Sequence, residues 1–201
     1  MVSGIFGLPG SGKSLLLGLI ADRAVKGKSI NYKSLNIGRC RSYETVYTNF
    51  PFKGACKLDF ESLGHSDYRD CLILIDEIMM LADSRNFKNF GDNLKFFFSM
   101  HRHFNIDLVY ASQCYDDVDK KIRGVTDRLY YVDDSAFNFM RVRQIVSYFD
   151  VSNGRIAEGY QYAPPLMNLY ILRSRLYNLI DTKAVINGGS FMQNPVIVNP
   201  W

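Results

Sequence analysis

The densest chemistry in the chain lies in eight residues near its start, Gly7-Leu8-Pro9-Gly10-Ser11-Gly12-Lys13-Ser14. They match the phosphate-loop pattern G-x-x-x-x-G-K-[ST] in full. Glycines at 7, 10 and 12 allow the backbone to wrap closely round a phosphate and turn its amides inward. A helix beginning at the end of the pattern adds free N–H groups and the positive end of its dipole. Lys13 is expected to reach the β and γ phosphates of a nucleotide, and the Ser14 hydroxyl to hold Mg²⁺. Pro9, Ser11 and Leu15 complete the expected nucleotide-contacting set. The bland alternative is a glycine-rich turn that merely joins a strand to a helix. The apolar run Val2 to Phe6 before the loop and the apolar face Leu15, Leu16, Leu19 and Ile20 after it supply the context that favours phosphate binding.

A second group follows the aliphatic run Cys71-Leu72-Ile73-Leu74-Ile75, which ends in Asp76-Glu77. This is the Walker B pattern. Asp76 is expected to ligate Mg²⁺ and Glu77 to polarise the attacking water as general base. The competing reading is that the two carboxylates cap a helix starting near Ile78, since acidic residues favour helix N-termini. A third run, Ile106-Asp107-Leu108-Val109-Tyr110-Ala111-Ser112, ends in Gln113. If its strand lies between the phosphate-loop strand and the acidic strand, Gln113 faces the γ phosphate and can orient water or sense nucleotide. Arg102 precedes this run and is a candidate transition-state arginine, acting on a neighbouring subunit. Arg123 is a second candidate, with a basic patch for DNA phosphates as its alternative. His101 and His103 have no third ligand nearby and are assigned no metal.

These residues need a scaffold that brings strand ends together. Apolar runs at Val2–Phe6, Tyr43–Thr48, Cys71–Ile75, Ile106–Ala111 and Leu129–Val132 alternate with helical stretches at Ser14–Val25 and Asp92–Phe104. Gly27 is the expected C-cap of the first helix. Lys53 to Asp70 reads as loop with a short helix around Phe60. Such alternation predicts an α/β domain with a parallel sheet and right-handed crossovers over residues 1–135. Residues 136–201 read as an extension packed on that core, with strands from Met140 to Phe149, an ambiguous stretch from Leu166 to Leu179, and a loosely packed tail from Gly188.

Bulk properties narrow the classes further. The chain has 201 residues, enough for one ordinary domain. Its hydrophobic fraction of 47% against 22% charged residues excludes a disordered polymer. A net charge of +4 tolerates an anionic partner without requiring one. Cys40, Cys56, Cys71 and Cys114 form no C-x-x-C pair and read as buried or half-buried thiols in a reducing compartment. No charged leader opens the chain, and no run approaches the roughly 18 apolar residues of a spanning helix.

The phosphate loop, Leu74-Ile75-Asp76-Glu77, and Arg102-His103-Phe104-Asn105-Ile106-Asp107 running into Ser112-Gln113 together resemble the Zot-like family of P-loop ATPases. Val46-Tyr47-Thr48-Asn49 and Leu176-Tyr177-Asn178-Leu179-Ile180-Asp181-Thr182 resemble the family's second strand and closing segment, so the likeness spans about residues 2 to 182. That family is related to the filamentous-phage assembly ATPase and, more distantly, to the FtsK–HerA DNA-pumping ATPases. The resemblance implies a RecA-like sheet of order 5-1-4-3-2, with Lys13, Ser14, Asp76, Glu77 and Gln113 in functional positions and Arg102 as a trans arginine. It implies ATP and Mg²⁺ as cofactors. It also implies a ring-forming homo-oligomer that couples ATP hydrolysis to packaging viral DNA or to assembling and exporting a virion with other assembly proteins. The expected location is the host cytoplasm, with any link to a membrane assembly site made through partners. Longer members continue into a membrane-spanning helix, which this sequence does not contain. The alternatives are an ATP-gated assembly scaffold with little turnover and a small-molecule kinase.

Overall fold

The computed structural model describes residues 1–64, 68–81, 96–152 and 155–180. Its centre is one nine-stranded sheet. In chain order the strands are β1 (Val2–Phe6), β2 (Thr45–Thr48), β3 (Cys56–Lys57), β4 (Cys71–Ile75), β5 (Asp107–Ser112), β6 (Arg128–Ser135), β7 (Phe139–Ser152), β8 (Arg155–Tyr162) and β9 (Leu169–Leu172). Across the sheet they run β3-β2-β4-β5-β1-β6-β7-β8, with β9 pairing on β7. Strands β2, β4, β5, β1 and β6 are mutually parallel. Numbered by themselves in chain order, these five give the expected order 5-1-4-3-2.

The sequence explains the layering. Strands β1, β4 and β5 are buried along their whole length, as continuous aliphatic runs in a doubly covered parallel sheet require. Side chains alternate between faces. Leu72 and Leu74 of β4 join Val109, Ala111 and the helix α1 (Lys13–Val25) on one side. Cys71, Ile73 and Ile75 join Leu108, Tyr110, Phe97 and Phe98 on the other. That second side is covered by helical residues 96–100 (α2) and by α3 (Lys120–Val125), whose Ile122 enters the core.

Beyond Ser135 the sheet continues without a break. β7 pairs antiparallel with β6 from Phe139 to Ile145, and β8 and β9 both pair with β7. Residues 136–180 therefore extend the same sheet. Several local expectations shift. β2 starts at Thr45, and β3, too short to carry a sequence period, lies outside it. The helix expected to run to Phe104 ends at residue 100 and is followed by turns, because Ile106 N–H closes back on the His101 carbonyl before β5 begins. Residues 92–95 of that helix and the tail from 188 lie outside the described residues. The ambiguous stretch resolves into a 3₁₀ turn (Pro165–Met167), β9 and a second 3₁₀ turn (Arg173–Arg175). Cys71 is buried and Cys56 half-buried, but Cys40 and Cys114 are exposed, contrary to the expectation of covered thiols. Both sit in irregular segments between the regular elements. Among the described residues no helix is long and apolar enough to cross a membrane.

Candidate functional site

The phosphate loop leaves β1 at Phe6 and enters α1 at Lys13. Two of its glycines are dictated by geometry. A Cβ on Gly7 would stand 2.3 Å from the Val132 carbonyl oxygen of β6, and Gly12 holds φ at 106°. Only glycine meets both demands without strain. Gly12 is also the N-cap of α1, and no side chain caps the helix there. The first-turn amides of α1 are thus left for an anion.

Lys13 is buried, and its Nζ donates to the Gly7 carbonyl at 2.8 Å and the Leu8 carbonyl at 3.1 Å. The ammonium therefore spans the mouth of the loop, with one N–H left for a ligand. Burial pulls its pKa below the ordinary lysine value, while the carboxylates of Glu77 and Asp76 pull it back up. Ser14 Oγ donates to Asp76 Oδ2 at 2.6 Å, joining the loop to the end of β4. The other carboxylate oxygen of Asp76, Oδ1, is buried without a partner. A hydroxyl and an orphaned buried carboxylate oxygen form the hard-oxygen donor set that Mg²⁺ accepts, with its remaining positions left to water and phosphate. These two side chains fit the ion. Among the described residues there is no cluster of three or more His, Cys, Asp or Glu that would hold a metal by protein ligands alone.

Glu77 follows Asp76 with φ at 53°, a left-handed conformation rare for a residue with a Cβ. Its carboxylate accepts from Gln113 Nε2 at 3.3 Å. The two residues come from the ends of β4 and β5, and β5 lies between β1 and β4, as a γ-phosphate-facing glutamine requires. The helix-capping alternative for Asp76-Glu77 loses ground here, since Asp76 turns to Ser14 and the described residues that follow, Ile78–Leu81, form a 3₁₀ turn.

Sequence reasoning missed two contributors. Asn49, assigned no role in the site from the sequence, clamps the main chain of Asp76 with both ends of its amide. Its Nδ2 donates to the Asp76 carbonyl and its Oδ1 accepts from the Asp76 N–H, each at 2.7 Å. A polar amide one residue past a strand was the available signal. Arg173 arrives from beyond β9, where its Nη2 donates to the Ser11 carbonyl at 2.6 Å and pairs with Asp134. Its separation of 162 residues from Ser11 left no local signal.

Loop, strand ends and C-terminal segment enclose one cavity of about 740 Å³. Pro9, Gly10, Gly12, Lys13, Ser14 and Leu15 line it from the loop and α1. Glu77 and Gln113 line it from the strand ends, and Arg173, Tyr177, Asn178 and Ile180 from the C-terminal segment. Its size suits a nucleotide-sized ligand.

Both candidate arginines lie away from this cavity. Arg102 is exposed and pairs with Asp127, which also accepts from the Val2 N–H at the opposite, amino edge of the sheet. It cannot reach the phosphate loop of its own chain. Arg123, half-buried on α3, lies over the Tyr115 ring and pairs with Asp116. His101 is buried against the Phe98 carbonyl, and burial lowers its pKa, so it is a neutral core residue. Asp107 is likewise structural. It accepts from Arg39, from Tyr43 at 2.6 Å and from the Met1 amine at 2.7 Å. The arginines that cluster at 141, 143 and 173 are matched by acids, Arg141 and Arg143 to Asp133 and Arg173 to Asp134.

The family model described as zonular occludens toxin (Zot) matches residues 2–163. Among solved structures, the chain is similar to the N-terminal domain of zonular occludens toxin from Neisseria meningitidis. The TM-score is 0.51 at 14% identity, covering 90% of this chain and 98% of that one. This is a likeness of fold. A FIGL-1 AAA domain in complex with ADP aligns at a TM-score of 0.39 and 15% identity, over 65% of this chain and 42% of that one. No curated protein matches the chain in sequence.

Proposed function

Because the chain belongs to the zonular occludens toxin (Zot) family, a family of P-loop ATPases, we propose that it binds ATP and hydrolyses it as a motor for phage morphogenesis. The observation that carries this reading is the convergence of Lys13, Ser14, Glu77 and Gln113 on one cavity, with Asp76 hydrogen-bonded to Ser14 behind it. In this reading Lys13 leaves the loop carbonyls to neutralise the β and γ phosphates. Ser14 and Asp76 hold Mg²⁺, which would supply charge neutralisation on the phosphates. Glu77 accepts the proton of the attacking water, and Gln113 holds that carboxylate in place. Arg102 serves a neighbouring subunit, since its place on the amino edge of the sheet denies it a role in its own site. The proposed partners are copies of the same chain in a ring, phage DNA and virion assembly proteins.

The test is ATP hydrolysis against protein concentration, with and without DNA, with Glu77→Gln as the blank. A rate per subunit that climbs with concentration and with DNA, and falls by roughly 10²–10⁴ in the blank, is expected from a positioned general base and an arginine supplied in trans. A rate indifferent to concentration and DNA and equal to the blank would overturn the motor reading.

A further inference from the structure

The phosphate loop accounts for only one end of the cavity. Glu77 and Gln113 come from β4 and β5, on one side of β1. The C-terminal segment that lines the rest follows β9, which pairs with β7 on the other side of β1. A nucleotide whose γ phosphate faces Glu77 and Gln113 must therefore send its nucleoside toward that segment.

The segment is built to stay there. Leu176 and Ile180 are both buried in the α1-side core, and Leu179 N–H closes on the Leu176 carbonyl. The packing on α1 is tight, since a Cβ on Gly18 would come within 2.6 Å of Ile180 Cδ1. Between these anchors Tyr177 and Asn178 are held out into the cavity. Tyr177 keeps 52% of its surface open although its hydroxyl donates to Asn138 Oδ1 at 3.1 Å, so the ring is tethered at its tip with its body uncovered. A tethered, uncovered aromatic beside an amide with both donor and acceptor is the chemistry that receives a heterocyclic base.

We propose that Leu176–Ile180 is the base-binding subsite, where Tyr177 stacks a purine and the Asn178 amide meets its polar edge. This rests on the nucleotide reading of the phosphate loop and extends it to the rest of the ligand.

The experiment compares binding of Mg-ATP and of inorganic tripolyphosphate, which has the phosphates and no base, by titration calorimetry on the full chain. The unmodified chain should bind ATP more tightly than tripolyphosphate. Tyr177→Ala should weaken ATP about tenfold and leave tripolyphosphate within twofold. Tyr177→Phe keeps the ring and loses only the Asn138 bond, so it should bind ATP as the unmodified chain does. Equal loss of both ligands in Tyr177→Ala, or a Tyr177→Phe defect as large as that of alanine, would mean that the tyrosine only braces the segment, and would overturn the subsite. If tripolyphosphate binds as tightly as ATP to the unmodified chain, the phosphate cradle stands and the subsite alone falls. If neither ligand binds, the nucleotide reading falls and takes the subsite with it.

Discussion

Asn49 gives the sharpest test of how the site is held. Its amide makes two hydrogen bonds of 2.7 Å to the main chain of Asp76, one through each end, so it fixes the residue that bonds Ser14. Asn49→Ala removes both bonds at once. A lost partner costs about 1–3 kcal/mol when the group left behind is buried. Asn49 and Asp76 are both half-buried, so water can replace part of each bond, and about 1 kcal/mol per bond is the appropriate figure. The sum, about 2 kcal/mol, lowers the melting temperature of a chain this size by roughly 4–8 °C. The catalytic loss should be larger than the stability loss suggests. A carboxylate displaced by about 1 Å can cost up to 10²-fold in turnover. The expectation is thus a folded variant with a melting point several degrees lower and a kcat reduced about tenfold to a hundredfold. Urea unfolding and ATP hydrolysis read the two effects separately. Asn49→Asp sharpens the test, because it keeps the acceptor, loses the donor and sets a second negative charge beside Asp76. It should be no better than alanine in turnover. If Asn49→Ala hydrolyses ATP at the unmodified rate, the clamp does not position Asp76 and the reasoning is wrong.

Two further outcomes follow from buried charge. Burial alone raises the pKa of Asp107, but hydrogen bonds from the Met1 amine, Tyr43 and the Arg39 backbone outweigh it and hold the carboxyl below its ordinary value of 3.8. Its stabilisation is therefore complete above pH about 4 and is lost as pH falls through the lowered folded value. Asp107→Asn should cost about 2–3 kcal/mol at pH 7, measured by urea unfolding, and should flatten the acid limb of stability against pH; an unchanged limb would contradict this. Arg173→Ala removes a support of the Ser11 carbonyl without touching the reacting phosphate, so KM for ATP should rise about tenfold while kcat changes little; a collapse in kcat at constant KM would assign Arg173 to the chemistry itself.

The legible parts of this molecule are those whose physics is local. A glycine-rich loop between an apolar strand and an amphipathic helix contains its own explanation, and so does an aliphatic run ending in two carboxylates. Both were found where the sequence put them, with Lys13 against its own loop carbonyls and Ser14 against Asp76. The place of β5 between β1 and β4, which turns Gln113 from a strand stop into a partner of Glu77, was conditional in the sequence because strand order is set by crossovers and not by any residue. The remaining contributors were hard to find for a different reason. Asn49 bonds the main chain of Asp76, and Arg173, besides its pair with Asp134, bonds the Ser11 carbonyl; a backbone partner far along the chain leaves no mark on the sequence. Asp107 shows the converse. It stands in the segment Arg102 to Gln113 that helps carry the family resemblance, yet its carboxylate is consumed by Arg39, Tyr43 and the Met1 amine at the amino edge of the sheet. A motif residue can thus mark the fold instead of the chemistry. Which of the two it marks is decided by the sheet edge on which it lands: Glu77 and Gln113, at the carboxyl edge, line the cavity, whereas Asp107 and Arg102, at the amino edge, bond groups of their own chain.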